Sequence, residues 1–483
     1  MQRYKILGPP GTGKTTRLLE LLEKELDTVP ARRIAFVSFT QRGTYEGVRR
    51  AKEQFVLSQD QLKHFRTLHS LCLQQTGGKY GRVMQKSDYK ALGQALGMKF
   101  DMDDNALAIL SKKNDATYLA ACSLAMHNPA MYEKLAADLN YGKLLYVAKN
   151  LQAYKEQQEC IDFTDMLFNY YKYGDPLNVD VAFVDEAQDL TALQWAIVDK
   201  MFANVKRLYI AGDDDQAIYT WAGADVAAFL QYPTTSTEVL KKSNRLPIQV
   251  YKYATNILKG ISYRTDKRFI PREEQGERTV ATSWHKAFIN LDRPTLVLAR
   301  DRAELRAAAT ALQELGFTYT YKGEQSFPND ARKAISKYEA WRKEPDNDKP
   351  LKLNDYEKKH YVVYNKDAPW YTAFKNHTKA KYFQRVLARE EHGTKQDFPI
   401  ELSTIHASKG AEREHVILSL GYREKTDEGY RRDPDSELRC LYVGATRAKE
   451  KLTLKLKEGA YGYPSFLPPN PSLWLDDVEK ELF

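Results

Sequence analysis

The segment Gly8-Pro9-Pro10-Gly11-Thr12-Gly13-Lys14-Thr15 constrains this chain more than any other. It fits the phosphate-loop pattern G-x-x-x-x-G-K-[ST] and lies between a strand-like run and a helix-like one. Tyr4–Leu7 reads as a buried strand. Residues Thr15–Glu25 read as an amphipathic helix with Leu18, Leu19, Leu21 and Leu22 towards a core. Small residues let the backbone wrap a triphosphate, and its N–H groups with the helix N-terminus aim positive potential at the anion. Gly8 to Thr15 are therefore the expected nucleotide cradle. Lys14 is expected to reach the β- and γ-phosphates, and Thr15 to ligate Mg²⁺.

At 483 residues the chain exceeds one core, and roughly two to four domains are expected. Its 43% hydrophobic and 28% charged residues are ordinary for a soluble globular protein. No apolar run approaches a membrane span, and the N-terminus lacks a signal-peptide pattern, so a cytoplasmic protein is expected. Cys72, Cys122, Cys160 and Cys440 are scattered without a C-x-x-C pair, which argues against a disulfide framework, a zinc ribbon or an iron–sulfur cluster. A net charge of +9 fits a solvated basic surface as well as a polyanion site. The 31 tyrosines shift the balance, because a single-strand nucleic-acid groove needs aromatic faces among cations.

Strand-like runs separated by helical patterns recur at Arg33–Phe39, Val181–Val184, Leu208–Ala211, Thr295–Ala299, Ile400–Thr404, His415–Leu420 and Lys451–Leu456. Such alternation indicates an α/β fold with parallel sheets, here in two groups. Two stretches interrupt it. The first, about Gly77 to Cys160, looks mostly helical. The second, about Asp330 to Asp397, carries 16 Lys+Arg against 11 Asp+Glu, with Trp341, Tyr356, Tyr361, Tyr364, Trp370, Tyr371, Phe374 and Tyr382 among them. It reads either as a grip on duplex or as a small domain with its own aromatic core.

Val181–Val184 runs into Asp185-Glu186-Ala187-Gln188-Asp189, placing carboxylates at the end of a buried strand, where parallel sheets present ligand sites. Asp185 suits a hold on Mg²⁺ and Glu186 suits activation of the attacking water. Next come Gly212-Asp213-Asp214-Asp215-Gln216-Ala217-Ile218-Tyr219-Thr220-Trp221, then Ser403-Thr404-Ile405-His406-Ala407-Ser408-Lys409-Gly410-Ala411-Glu412 and Leu441-Tyr442-Val443-Gly444-Ala445-Thr446-Arg447-Ala448. With the phosphate loop and the DEAQD turn, this series resembles the ordered motifs of UvrD/Rep-type superfamily 1 helicases, across both sheet-bearing halves but neither insertion.

The resemblance implies two RecA-like domains around an ATP cleft: residues 1–76 with 161–230, and 231–329 with 398–483. Residues 77–160 and 330–397 would be inserted subdomains. It puts Gln216, Arg245 and Arg447 on the γ-phosphate, the two arginines reaching it from the second domain, and Thr16, Arg17, Gly410 and Glu412 near the nucleotide, with Glu412 on the ribose. It puts Phe39, Thr40, Thr67, His69, Tyr219, Trp221, Thr404 and His406 on nucleic acid. Asn244 stands where the family has a base-stacking tyrosine, and Ala222 where it commonly has an arginine. The activity implied is ATP- and Mg²⁺-dependent unwinding of duplex DNA with 3′→5′ movement on single-stranded DNA and at its junctions with duplex, by a monomer and with no role at a membrane. The other reading is a nucleic-acid-stimulated ATPase that senses or serves a partner with little unwinding of its own.

Overall fold

The computed structural model describes residues 1–38, 49–55, 57, 58, 60–100, 115–344, 354, 355, 357, 368–421 and 424–456. The chain divides into two compact units, Met1–Glu274 with Glu428–Val443, and Gln275–Asp427 with the chain from Gly444.

The first unit is built on strands β1 (Gln2–Leu7), β2 (Ile34–Ser38), β3 (Phe65–Thr67), β6 (Val181–Asp185), β7 (Arg207–Gly212) and β8 (Ser236–Val239). Their order is β3-β2-β6-β7-β1-β8, and every pairing is parallel. β2 and β6 are buried along their whole length because both faces of the sheet are covered, so neither shows polar–apolar alternation. Successive residues face opposite sides. Ala35, Val37, Ala182 and Val184 enter one core cluster, whereas Ile34, Phe36, Val181 and Phe183 enter the other.

The parallel register lines up Phe65, Phe36, Phe183, Tyr209 and Tyr4 on neighbouring strands. Their rings stack in a row across the sheet with centroids 4.8–6.0 Å apart. Offset stacks of this kind add about 0.5–1.5 kcal/mol per pair beyond burial. The row lies on the face covered by the helix Lys14–Leu26, which buries Leu18, Leu19 and Leu22. β1 and β6 are therefore held rigidly, two positions apart, with β7 between them.

The described residues between 77 and 160 are mainly helical and share a core of Met84, Tyr89, Leu92, Phe100, Leu119, Val147 and Leu151. A short parallel pair, β4 (Arg82–Val83) and β5 (Cys160–Ile161), accompanies them. All four cysteines are free thiols, and Cys72, Cys160 and Cys440 are buried.

The second unit carries β9 (Glu277–Ala281), β10 (Thr295–Ala299), β11 (Thr320–Tyr321), β12 (Glu324–Gln325), β13 (Ile400–Thr404), β14 (Arg413–Ser419) and β15 (Ala448–Lys455). The order is β12-β11-β13-β10-β14-β15-β9, parallel except for the β11–β12 hairpin.

One expectation changes. The break placed at residue 230 falls inside the first unit, because β8 pairs with β1 and the chain stays with that sheet through Glu274. The described part of the basic aromatic insertion has an aromatic core of its own. The helices Asn329–Lys343 and His377–Glu391 enclose a core that takes in Trp370, Phe374, Tyr382 and Phe383, with Trp341 packed against it. Tyr371 is exposed, and Tyr356, Lys358, Lys359, Tyr361 and Tyr364 lie outside the described residues. Phe383 stacks on Phe327 at 4.1 Å and meets Phe374 edge-on. Phe383→Ala is expected to cost about 3–5 kcal/mol of the insertion's stability, read as early loss of hydrogen-exchange protection in both helices. Unchanged protection there would refute an independent core.

Candidate active site

The phosphate loop leaves β1 at Leu7 and turns into the helix at Lys14, with Gly11 (φ 73°) and Gly13 (φ 85°) in the left-handed region. Gly11 has a second constraint. A Cβ there would lie 2.3 Å from Cβ of Arg245, so no side chain fits. Lys14 folds back over the loop and its Nζ donates to the Gly8 carbonyl at 2.9 Å. A triphosphate would offer that ammonium a charged acceptor in exchange for a neutral one.

Thr15 Oγ1 donates to Asp185 Oδ2 at 3.1 Å, joining the helix start to the end of β6. Asp185 is only 2 % exposed. Burial and the neighbouring Glu186 charge push its carboxyl up to about 6, against the pull of Lys14 and of the hydrogen bonds from the Glu186 N–H and Thr15. A hydroxyl and a carboxylate converging in a buried corner, with the carboxylate held above its usual range by burial and the Glu186 charge, fit a hard divalent cation. Among the described residues no cluster of three or more His, Cys, Asp and Glu forms a metal site.

Glu186 adopts left-handed backbone angles, φ 55° and ψ 37°, and its N–H donates to Asp185 Oδ1 at 2.9 Å. Such a conformation costs a non-glycine residue of order 1–3 kcal/mol and concentrates at functional positions. The Glu186 carboxylate accepts from Gln188 Nε2 at 2.5 Å. Gln188 Oε1 accepts from the Asp213 N–H at 3.0 Å, and Asp213 Oδ2 accepts from Gln216 Nε2 at 2.7 Å. One chain of hydrogen bonds thus runs from Glu186 to Gln216 across the ends of β6 and β7.

Arg245 belongs to the unit that holds the phosphate loop, where sequence reading put it on the other. Local contacts give the reason. Ser243 Oγ donates to the Pro10 carbonyl at 2.7 Å, and the Asn244 N–H donates to the Gly11 carbonyl at 2.9 Å. Arg17 faces Glu238 and Glu20 at 3.1 and 3.0 Å, and Thr16 accepts from Arg50 at 3.2 Å. Both are thus engaged by side chains around the loop.

A model of the UvrD/REP helicase N-terminal domain matches residues 1–236, and one of the UvrD-like helicase C-terminal domain matches residues 353–459. The chain belongs to the UvrD/Rep family of superfamily 1 helicases. Its two parallel sheets are the RecA-like domains of that family. The ATP-dependent DNA helicase PcrA of Staphylococcus aureus (strain Mu50) is 24% identical over 304 residues, covering 56% of this chain and 40% of that protein. The protein of that name from Staphylococcus epidermidis gives the same identity and coverage. The chain thus spans about two fifths of the length of these curated relatives. The arterivirus nonstructural protein 10 helicase covers 99% of this chain and 61% of its own at 10% identity, with a TM-score of 0.36.

The other residues singled out by the UvrD/Rep resemblance stand in varied surroundings. Tyr219 and Trp221 are half-buried, with rings 6.1 Å apart at 61°. Thr67 caps the helix Leu68–Gln75 by accepting from the Ser70 N–H, and His69 meets Phe163 edge-on at 5.9 Å. Burial, then His127, holds the His69 imidazole at about 4, so it is neutral at pH 7. Phe39 and Thr40 lie outside the described residues. In the second unit Thr404 ends β13 and accepts from the Ala407 N–H at 3.3 Å, while His406 is buried. Gly410 is left-handed at φ 83°, Glu412 lies 3.9 Å from the Lys449 ammonium, and Arg447 is 2 % exposed.

Sequence reading missed Gln188, Arg264 and Lys267. Gln188 lies within the motif that named Glu186, and its amide is what ties that motif to the next. Arg264 and Lys267 sit in no recognised motif, and only a count of charge against the acidic run Asp213–Asp215 could have called for them.

Proposed function

We propose that the protein is a Mg²⁺- and ATP-dependent translocase that moves 3′→5′ on single-stranded DNA and separates duplex ahead of it. What carries the reading is the hydrogen-bonded series from Thr15 through Asp185 and Glu186 to Gln216, set beside a phosphate loop on one rigid sheet. In this reading the loop N–H groups and Lys14 bind the phosphates, and Thr15 and Asp185 hold Mg²⁺, which offsets phosphate charge. Glu186 takes the proton of the attacking water, and Gln216 and Arg245 meet the γ-phosphate. Arg447, Gly410 and Glu412 keep the nucleotide roles that the family resemblance gives them. ATP is the substrate spent, and the single strand is the track.

Tyr219 and Trp221 supply stacking faces three and five residues after Gln216, so the group that meets the γ-phosphate and those that meet the bases share one short segment. Trp221→Ala is expected to lower DNA-stimulated hydrolysis about ten-fold, from a stacking contribution of about 1–3 kcal/mol per base, and to leave basal hydrolysis within two-fold. Equal losses in both would remove its stacking role. The proposal itself is tested with duplexes carrying a 3′ or a 5′ single-stranded tail. Strand separation from the 3′ tail alone is the expected result. Hydrolysis stimulated by single strands without any separation would favour the sensor reading instead.

A further inference from the structure

Asp213, Asp214 and Asp215 are consecutive and all three are essentially removed from water. Three carboxylates in that position repel one another and each loses hydration, so they persist only with cations beside them. Lys267, itself 1 % exposed, supplies one: its Nζ is 3.0 Å from Asp213 Oδ1 and 3.0 Å from Asp215 Oδ2, and it bonds Asp214 Oδ1 as well. Arg264 adds a two-pronged bond to Asp215, with both distances at 2.7 Å, and the Thr265 N–H donates to Asp214 Oδ2 at 2.7 Å. Burial works against ionisation of Asp213, yet the Lys267 and Lys14 charges outweigh it and keep its carboxyl below the usual range.

The two oxygens of Asp213 do different things. Oδ1 faces Lys267, and Oδ2 accepts from Gln216 Nε2. An ionised carboxylate only accepts, so it fixes which end of the Gln216 amide turns towards it. The segment carrying Lys267 is in turn hydrogen-bonded to the one that carries Arg245. The Ile270 N–H donates to the Lys241 carbonyl, the Ser243 N–H to the Ile270 carbonyl, and the Arg272 N–H to the Leu246 carbonyl, at 2.8–3.0 Å. At its other end the Ser262 and Tyr263 N–H groups donate to the Asp435 carboxylate, at 2.9 and 2.8 Å. Residues 262–272 are therefore a strap with one end on Asp435, its middle on the acidic run and its far end beside the Arg245 segment.

We propose that Lys267 is a positioning residue: through Asp213 it holds the Gln216 amide, and through its strap it makes that placement follow the segment bearing Arg245. This rests on the reading of Gln216 as the group that meets the γ-phosphate. Nucleotide held by the phosphate loop alone does not need the strap, whereas discrimination of ATP from ADP does. A cation serving only to neutralise buried acids would affect both alike.

The test uses the whole chain with Mg²⁺, ADP and a non-hydrolysable ATP analogue. Lys267→Met is expected to leave ADP affinity within about two-fold and to lower kcat about ten- to a hundred-fold, as a displaced group near the reacting phosphate does. The preference for the analogue over ADP should fall with kcat. Lys267→Met paired with Asp214→Asn removes one charge of each sign and carries the same expectation if the single variant does not fold. Unchanged kcat, or a loss of ADP affinity in step with kcat, overturns the proposal, as does failure of both variants to fold. A wild-type chain that neither binds ADP nor hydrolyses ATP would remove the functional reading, and this inference with it.

Discussion

Glu186→Gln is expected to lower kcat for ATP hydrolysis by about 10²- to 10⁴-fold, the span associated with a positioned general base. The change keeps size and shape, and the amide oxygen of the new residue can still accept from Gln188 Nε2, as the carboxylate does at 2.5 Å. The left-handed backbone at position 186 and its N–H bond to Asp185 do not depend on the side chain. Folding is therefore spared, and what disappears is the capacity to accept a proton from water. Asp185 responds in a way that can be followed separately. Its carboxyl is pushed up by burial first and by the Glu186 charge second. Removing that charge moves it down towards the ordinary carboxylate range. Binding of Mg²⁺ with ADP is accordingly expected to hold at neutral pH and to extend further into acid than in the wild type, read by titrating affinity against pH. A kcat within three-fold of wild type would show that another group takes the proton.

How much of this was legible beforehand depends on the range of the interaction. Val181–Val184 and Thr295–Ala299 were readable because fully buried strands declare themselves as short apolar runs. β3 and β9 were not. Phe65–Thr67 is three residues long, and Glu277–Ala281 is a partly exposed strand at the sheet's rim that opens on three polar residues. The phosphate loop, Asp185 and Glu186 were readable because each sits where a strand ends, and local spacing fixes that. The pairing of Thr15 with Asp185 spans 170 residues and only the sheet order brings it about. Aromatic content misled in the second insertion. Trp370, Phe374 and Tyr382 look the same in sequence whether they face a strand of DNA or one another, and burial decides for the latter. Lys267 was invisible for the opposite reason, since an isolated lysine is nearly always at the surface and only the three acids it meets remove it from water.

Arg245→Ala is expected to reduce kcat about 10³-fold or more, within the 10³–10⁵ range attached to an arginine that meets a transferring phosphoryl group. Its position makes the effect separable from collapse of the loop. The contacts that fasten this segment to the phosphate loop belong to its neighbours, Ser243 Oγ on the Pro10 carbonyl and the Asn244 N–H on the Gly11 carbonyl. Truncation at Arg245 removes the guanidinium and leaves both in place. ADP affinity should therefore stay within about three-fold, since no γ-phosphate is present to be missed. Arg245→Lys should recover little of the loss, because a point charge on a flexible stem does not reproduce two parallel N–H bonds to phosphate oxygens. Gly11→Ala supplies the complementary case. There the added Cβ would sit 2.3 Å from Cβ of Arg245 on a backbone at φ 73°, so the loop itself must move. That variant should lose ADP affinity and kcat together, whereas Arg245→Ala should lose kcat alone. If Arg245→Ala instead weakens ADP as much as Gly11→Ala does, Arg245 is a prop for the loop and has no part in meeting the γ-phosphate.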